Sequence, residues 1–187
     1  MKQFILIMSV LLGWAFQSEN IYAQTGGRTL IVYFSEGGNT RGIAEEIQSQ
    51  IGADLVEIEI EMEEPYSDSY SVLLEQAEQD LLANARPALR TRIENMEAYD
   101  TILLGYPNWY AILPMPVYTF LESYDFDGKR IIPFCSHGNG MMGETISNIC
   151  KTCPYADVRE ALSVTYSGGP SLSEEIHTWL AKHRLVE

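Results

Sequence analysis

The sequence predicts a three-layer α/β domain, a five-stranded parallel sheet with helices on both faces. Three observations predict it. Short apolar runs suited to strands covered on both sides recur at Leu30–Phe34, Thr101–Gly105 and Arg130–Cys135. Segments of helical spacing alternate with these runs, and that alternation implies parallel strands joined by crossovers. The length, 187 residues, suits one domain with a substantial core.

The N-terminus differs in kind from the rest. Lys2 is followed by an apolar run from Phe4 to Phe16, broken only by Ser9 and Gly13, then by polar Gln17 to Asn20 and small Ala23. That order predicts a secretory signal over 1–23, cleaved after Ala23, and a mature domain over 24–187. The apolar run is short for a bilayer span, so the mature chain is expected to carry no membrane anchor. No cysteine adjoins the cleavage point. The expected location is therefore periplasmic or secreted.

Within the mature chain, Leu30–Phe34 is the first strand. A glycine-containing turn leads into a helix from Thr40 to Ile51, with Ile43, Ala44, Ile47 and Ile51 on one face. Asp54 to Ile60 alternates polar and apolar residues and predicts an edge strand. A loop with Pro65, Tyr66 and Tyr70 precedes a helix over 71–84. Thr101–Gly105 is the third strand, Pro116 to Tyr124 a short helix, and Arg130–Cys135 the fourth strand. A helix over 143–153, a strand near Ala161 to Val164 and a final helix from Ser171 to Arg184 complete the order. Ser171 and Glu174 have the spacing of a capping box.

The formal net charge is −14, and removal of 1–23 leaves it unchanged because Lys2 and Glu19 cancel. An acidic body of this kind repels nucleic acid and anionic lipid and favours partners with a basic or neutral face. Three cysteines are present: Cys135, Cys150 and Cys153. Cys150 and Cys153 are spaced as C-x-x-C, which in an oxidising compartment permits a disulfide. A redox-active pair normally opens a helix, whereas this one ends a helix, with Pro154 following.

Sheets of this type bind ligands beyond the carboxyl ends of the strands. The loops after the first, third and fourth strands carry the unusual residues. Ser35-Glu36-Gly37-Gly38-Asn39-Thr40 combines two glycines with hydroxyls ahead of a helix, which suits a phosphate held on amide N–H groups. It is neither a Walker A loop nor G-x-G-x-x-G. Gly105-Tyr106-Pro107-Asn108-Trp109-Tyr110-Ala111 sets consecutive aromatics where a flat ring would lie. Ser136-His137-Gly138-Asn139-Gly140 offers backbone donors and a histidine whose ordinary pKa is near 6.5.

Together these blocks resemble the flavodoxin-like family, in particular its branch opening Y-F-S-x-x-G-N-T, here Tyr33 to Thr40. The second block of resemblance is Gly105 to Trp109, continued by Leu113-Pro114-Met115-Pro116-Val117 and Phe120-Leu121-Glu122. The third is Gly128-Lys129 with Ile132 to His137. The resemblance implies a flavodoxin-like fold with strand order 2-1-3-4-5 and FMN as cofactor. It implies phosphate contacts from Ser35, Gly38, Asn39 and Thr40, with Gly37 also among the cofactor-binding residues. Ring contacts are implied for Pro107, Asn108, Trp109 and Tyr110, with Ser136, His137 and Gly138 at the far edge. Two departures concern the site. Gly37 stands where relatives often carry a hydroxyl and follows the acidic Glu36, and Ala111 stands where a glycine is common.

Three functions follow. The leading one is electron transfer through FMN to a redox partner protein. Another is an NAD(P)H-dependent FMN oxidoreductase acting on quinones or similar small molecules, which export and the lack of a dinucleotide fingerprint disfavour. The third is a binding module that has kept the fold without FMN. No catalytic side chain and no metal-ligand cluster is expected.

Overall fold

Alternate residues of each central strand face opposite layers, and that alternation builds two apolar cores. The computed structural model describes residues 27–61, 66–67, 69–138 and 140–187, so the expected signal at 1–23 lies outside the described residues. The chain runs β1 (Arg28–Tyr33), α1 (Asn39–Ile51), β2 (Asp54–Glu57), α2 (Tyr70–Leu82), a 3-10 turn (Met96–Ala98), β3 (Tyr99–Pro107) and α3 (Met115–Ser123). It continues through β4 (Arg130–His137), α4 (Thr145–Thr152), β5 (Asp157–Val158), β6 (Leu162–Thr165) and α5 (Leu172–Lys182). Leu30, Val32 and Phe34 of β1 join Ile102, Leu104 and Tyr106 of β3 on the face covered by α2, α3 and α4. Ile31, Tyr33 and Leu103 join Ile132 and Phe134 on the opposite face, under α1 and α5.

All the sheet pairings are parallel, in the order β2-β1-β3-β4, with β5 and β6 both on β4. This is the expected order 2-1-3-4-5 with its last strand in two pieces. Asp157 pairs with Arg130 at the start of β4, while Leu162 pairs with Phe134 near its end. Between the pieces, the Glu160 carbonyl leaves the ladder and accepts hydrogen bonds from Trp179 Nε1 (3.1 Å) and His183 Nε2 (2.9 Å). The expected strand over 54–60 also ends early, at Glu57. Beyond it Ile60 bridges Leu89 in the antiparallel sense, and Thr91 Oγ1 donates to the Glu57 carbonyl at 2.7 Å. The expected capping box is absent: Ser171 precedes α5, but its hydroxyl donates to the Glu175 carboxylate at 2.6 Å.

His183 makes acid stability measurable at one residue. Its ring is buried, its Nε2 hydrogen faces the Glu160 carbonyl, and its own carbonyl accepts from Arg130 at 3.0 Å. Burial pushes its pKa below the ordinary histidine value, opposed by the Glu160 carbonyl and reinforced by Arg130. The unfolded chain therefore takes up a proton first, near pH 6.5. The contribution is fully present above that pH and is lost as pH falls towards the folded value. We expect His183→Gln to flatten this part of the stability profile between pH 7.5 and 5.5, measured as urea midpoints. An unchanged slope would show that the imidazole does not contribute.

Gly105 has a packing reason. It lies directly opposite Phe134 in the β3–β4 register, and a Cβ built on it would sit 2.2 Å from Phe134 Cζ. Phe134 is fully buried and packs edge-on against Trp179, centroids 6.4 Å apart, so it has nowhere to move. Gly105→Ala is expected to cost about 1–3 kcal/mol through overpacking. The denaturant midpoint should fall at unchanged m-value.

Cys150 and Cys153 are free thiols at the C-terminal end of α4, Cys150 exposed and Cys153 buried. Burial, with Asp127 nearby, pushes the Cys153 thiol up to about 11, and burial pushes Cys135 up to about 12. Such thiols are poor nucleophiles. Among the described residues no helix is long and apolar enough to cross a membrane, and no group of three or more His, Cys, Asp or Glu side chains is placed to hold a metal.

Candidate functional site

The carboxyl ends of β1, β3, β4 and β6 open into one cleft of about 350 Å³, within the range of small-molecule sites. It gathers residues of all three loops: Ser35, Gly37, Asn39 and Thr40 from the first, Pro107, Asn108 and Trp109 from the second, and Ser136, His137 and Gly138 from the third. Gly38 is not among the lining residues and sets the turn into α1. Tyr110 is turned elsewhere. Glu36, Tyr70, Leu73 and Tyr166 also line the cleft, though the motif reading did not select them as contacts.

The first loop is built to leave donors free. Gly38 precedes α1 with φ of 80°, the left-handed region that costs a side chain energy and costs glycine little. The Arg41 amide donates to Ser35 Oγ (3.2 Å) and the Gly42 amide to the Gly38 carbonyl (3.0 Å). In a helix the amides of the first turn have no intrahelical acceptor, so those of Asn39 and Thr40 point off the end of α1 with the positive end of its dipole. Because Ser35 Oγ accepts from Arg41, its own hydrogen remains available for an anion. A side chain on Gly37 or Gly38 would meet nothing within 4 Å, so the mouth of this cradle is open.

No lysine or arginine is among the described residues lining the cleft. The nearest cation by sequence, Arg41, is held by Glu57 at 2.6 Å, and that carboxylate with the Tyr33 hydroxyl pushes its pKa upward. An anion here rests on neutral amides and hydroxyls.

The second loop holds its tryptophan by packing. Trp109 meets Phe34 and Tyr66 edge-to-face, with centroids 5.4 and 5.3 Å away, and only 8% of it is exposed. Tyr66 is anchored in turn by its hydroxyl, which donates to Asp80 at 2.5 Å. The indole is thus both core residue and cleft wall. Tyr110 and Ala111 take φ of 52° and 64° in the turn that closes when the Ile112 amide bonds the Trp109 carbonyl at 3.0 Å. Such a turn favours glycine, so Ala111 holds a backbone conformation that its Cβ disfavours. The same backbone carries the Tyr110 hydroxyl to the Leu74 carbonyl (3.0 Å), away from the cleft.

Asn108 is tied down by its amide, which donates to the Ser136 carbonyl at 2.8 Å, and by Nδ2, which donates to the Met141 carbonyl at 2.5 Å. Its Oδ1 is buried and has no partner among the described residues. A buried acceptor of this kind is costly unless a ligand N–H satisfies it. His137 is less available than its loop position suggested. Its Nδ1 meets the Gly138 carbonyl at 2.5 Å and its Nε2 meets Ser163 Oγ at 2.7 Å. A carbonyl only accepts, so Nδ1 carries a proton and donates it to Gly138, while Nε2 is tied to the Ser163 hydroxyl. Asn139 of this loop lies outside the described residues.

A doubly wound parallel sheet with an anion cradle after its first strand and an aromatic wall after its third defines a mononucleotide-binding α/β protein. The family model for flavodoxin matches residues 28–183, and this chain belongs to the flavodoxin family. It is similar to flavodoxin of Haemophilus influenzae, 31% identical over 80 residues covering 43% of this chain and 30% of that protein. Flavodoxin 1 of Escherichia coli is 29% identical over 110 residues, 57% of this chain and 47% of that one. The chain thus spans less than half the length of these curated relatives. A candidate flavoprotein from Bacteroides eggerthii superposes with a TM-score of 0.72 at 26% identity, over 84% of this chain and 98% of that one. A flavoprotein from Lactobacillus acidophilus, solved with FMN, shares the fold at a TM-score of 0.62 and 22% identity, over 73% of this chain and 93% of that one.

FMN is the cofactor of that family, and the residues present fit it. The open cradle at Gly37 and Gly38 matches a phosphate, Trp109 a conjugated ring, and the orphaned Asn108 Oδ1 a ring N–H.

Proposed function

We propose that this chain is an exported electron carrier, with FMN in the cleft as its redox group and a protein with a basic or neutral face as its partner. The observation that carries the reading is the meeting of amide cradle, Trp109 and Asn108 in one cleft. When bound, FMN supplies reversible one- and two-electron chemistry. The chain supplies position and electrostatics: Ser35, Asn39 and Thr40 hold the phosphate end, while Asn108 and Trp109 orient the ring. His137, bonded to the Gly138 carbonyl and to Ser163, fixes the β4 loop. Charge gained on reduction meets Glu36, with no lysine or arginine among the described lining residues, which favours a potential at or below that of free FMN.

The carrier reading is favoured over an oxidoreductase by the acidic surface, which repels NAD(P)H, and by the sequence signal for export. Purified protein given FMN should show a bound visible flavin band, and anaerobic NADH or NADPH should leave it oxidised. Rapid bleaching by either would overturn the carrier in favour of an oxidoreductase. Failure to take up FMN at all would leave a binding module. Export is tested by the mass of the secreted protein, which should correspond to residues 24–187.

A further inference from the structure

We propose that Tyr166, on the turn between β6 and α5, is the second aromatic wall of the cleft and packs against the ring of the bound flavin. This inference rests on the FMN reading above. The loop after β4 carries no ring able to do this: Ser136 and Gly138 have none, and His137 is locked between the Gly138 carbonyl and Ser163. Gly138 leaves room for a neighbour to reach across. A Cβ there would come within 3.5 Å of the Tyr166 hydroxyl and 3.7 Å of its ring. Tyr166 is 58% exposed and lines the same cleft as Trp109. The sheet order places it beyond β4, whereas Trp109 follows β3, so the two rings flank the end of β4.

The backbone at Tyr166 is held in a conformation its side chain disfavours. Its φ is 54°, in a turn closed by the Gly168 amide on the Thr165 carbonyl at 3.0 Å. Both its polar backbone groups are clamped to β4: its amide donates to the His137 carbonyl (2.7 Å), and its carbonyl accepts from Ser136 Oγ (2.6 Å). A large aromatic residue kept in the left-handed region, clamped on both sides and largely exposed, contributes little to the core. Strain retained beside a ligand cleft points to use by the ligand.

The test separates folding from binding. Tyr166→Gly relieves the backbone and removes the ring, so it should raise the Tm of the FMN-free protein while weakening FMN binding about tenfold. Tyr166→Phe should keep FMN affinity within about threefold of the original chain, because the ring face is retained. Affinities are read by titrating FMN-free protein with FMN and following the visible band. If the unaltered chain binds FMN and Tyr166→Gly binds it equally well, the second wall is refuted while the FMN reading stands. If the unaltered chain binds no FMN, both fall. A Tm that drops in Tyr166→Gly would assign the residue to the fold and overturn the proposal.

Discussion

Trp109→Ala is expected to remove tight FMN binding and to lower the stability of the FMN-free protein by about 3–5 kcal/mol. The two effects have one origin. The indole fills the space between Phe34 and Tyr66 and presents its remaining surface to the cleft. Truncation leaves a cavity under the binding wall as well as a missing wall. Trp109→Phe distinguishes the roles, since a smaller ring retains part of the edge-to-face packing. It should recover most of the stability and less of the affinity. Urea midpoints without FMN, set beside FMN titrations, check both. Full FMN affinity in Trp109→Ala would remove the indole from the site.

Gly37→Asp should weaken FMN binding about a hundredfold while leaving the fold intact. Position 37 is exposed, with nothing within 4 Å of a built Cβ, so a side chain there meets only solvent or the ligand. A carboxylate near a phosphate dianion, beside Glu36 and with no lining cation to offset it, opposes binding by a few kcal/mol at short range. Riboflavin has the same ring without the phosphate and provides the control. Its affinity should hardly change, and added salt should return part of the lost FMN affinity. Equal losses for both ligands would place the phosphate elsewhere.

The architecture was largely legible because it depends on local periodicity. Runs such as Leu30–Phe34 feed both cores at once, and only a doubly covered strand does that. The three loops were legible because glycines, hydroxyls and adjacent aromatics mark strand ends. What stayed hidden depends on tertiary placement. Tyr166 follows a short strand by one residue, and nothing local says that β6 will set it across Gly138. Tyr70 and Leu73 reach the cleft only because α2 packs beside the β3 loop. Tyr110 and Trp109 are neighbours in sequence, but two consecutive left-handed residues send them in different directions. The division of the last strand at Glu160 has no local signal either, since the carbonyl is engaged by Trp179 of α5 and by His183 just past its end.

That division bears on how the protein behaves in company. A sheet whose outer strand runs unbroken is a template on which another chain can continue the ladder. Here one margin is broken at Glu160, whose carbonyl is already engaged, and the other is four residues long with Thr91 and Leu89 laid over its far end. Among the described residues neither margin offers an unbroken row of open amides and carbonyls longer than four residues, which leaves the folded sheet a short template for strand addition.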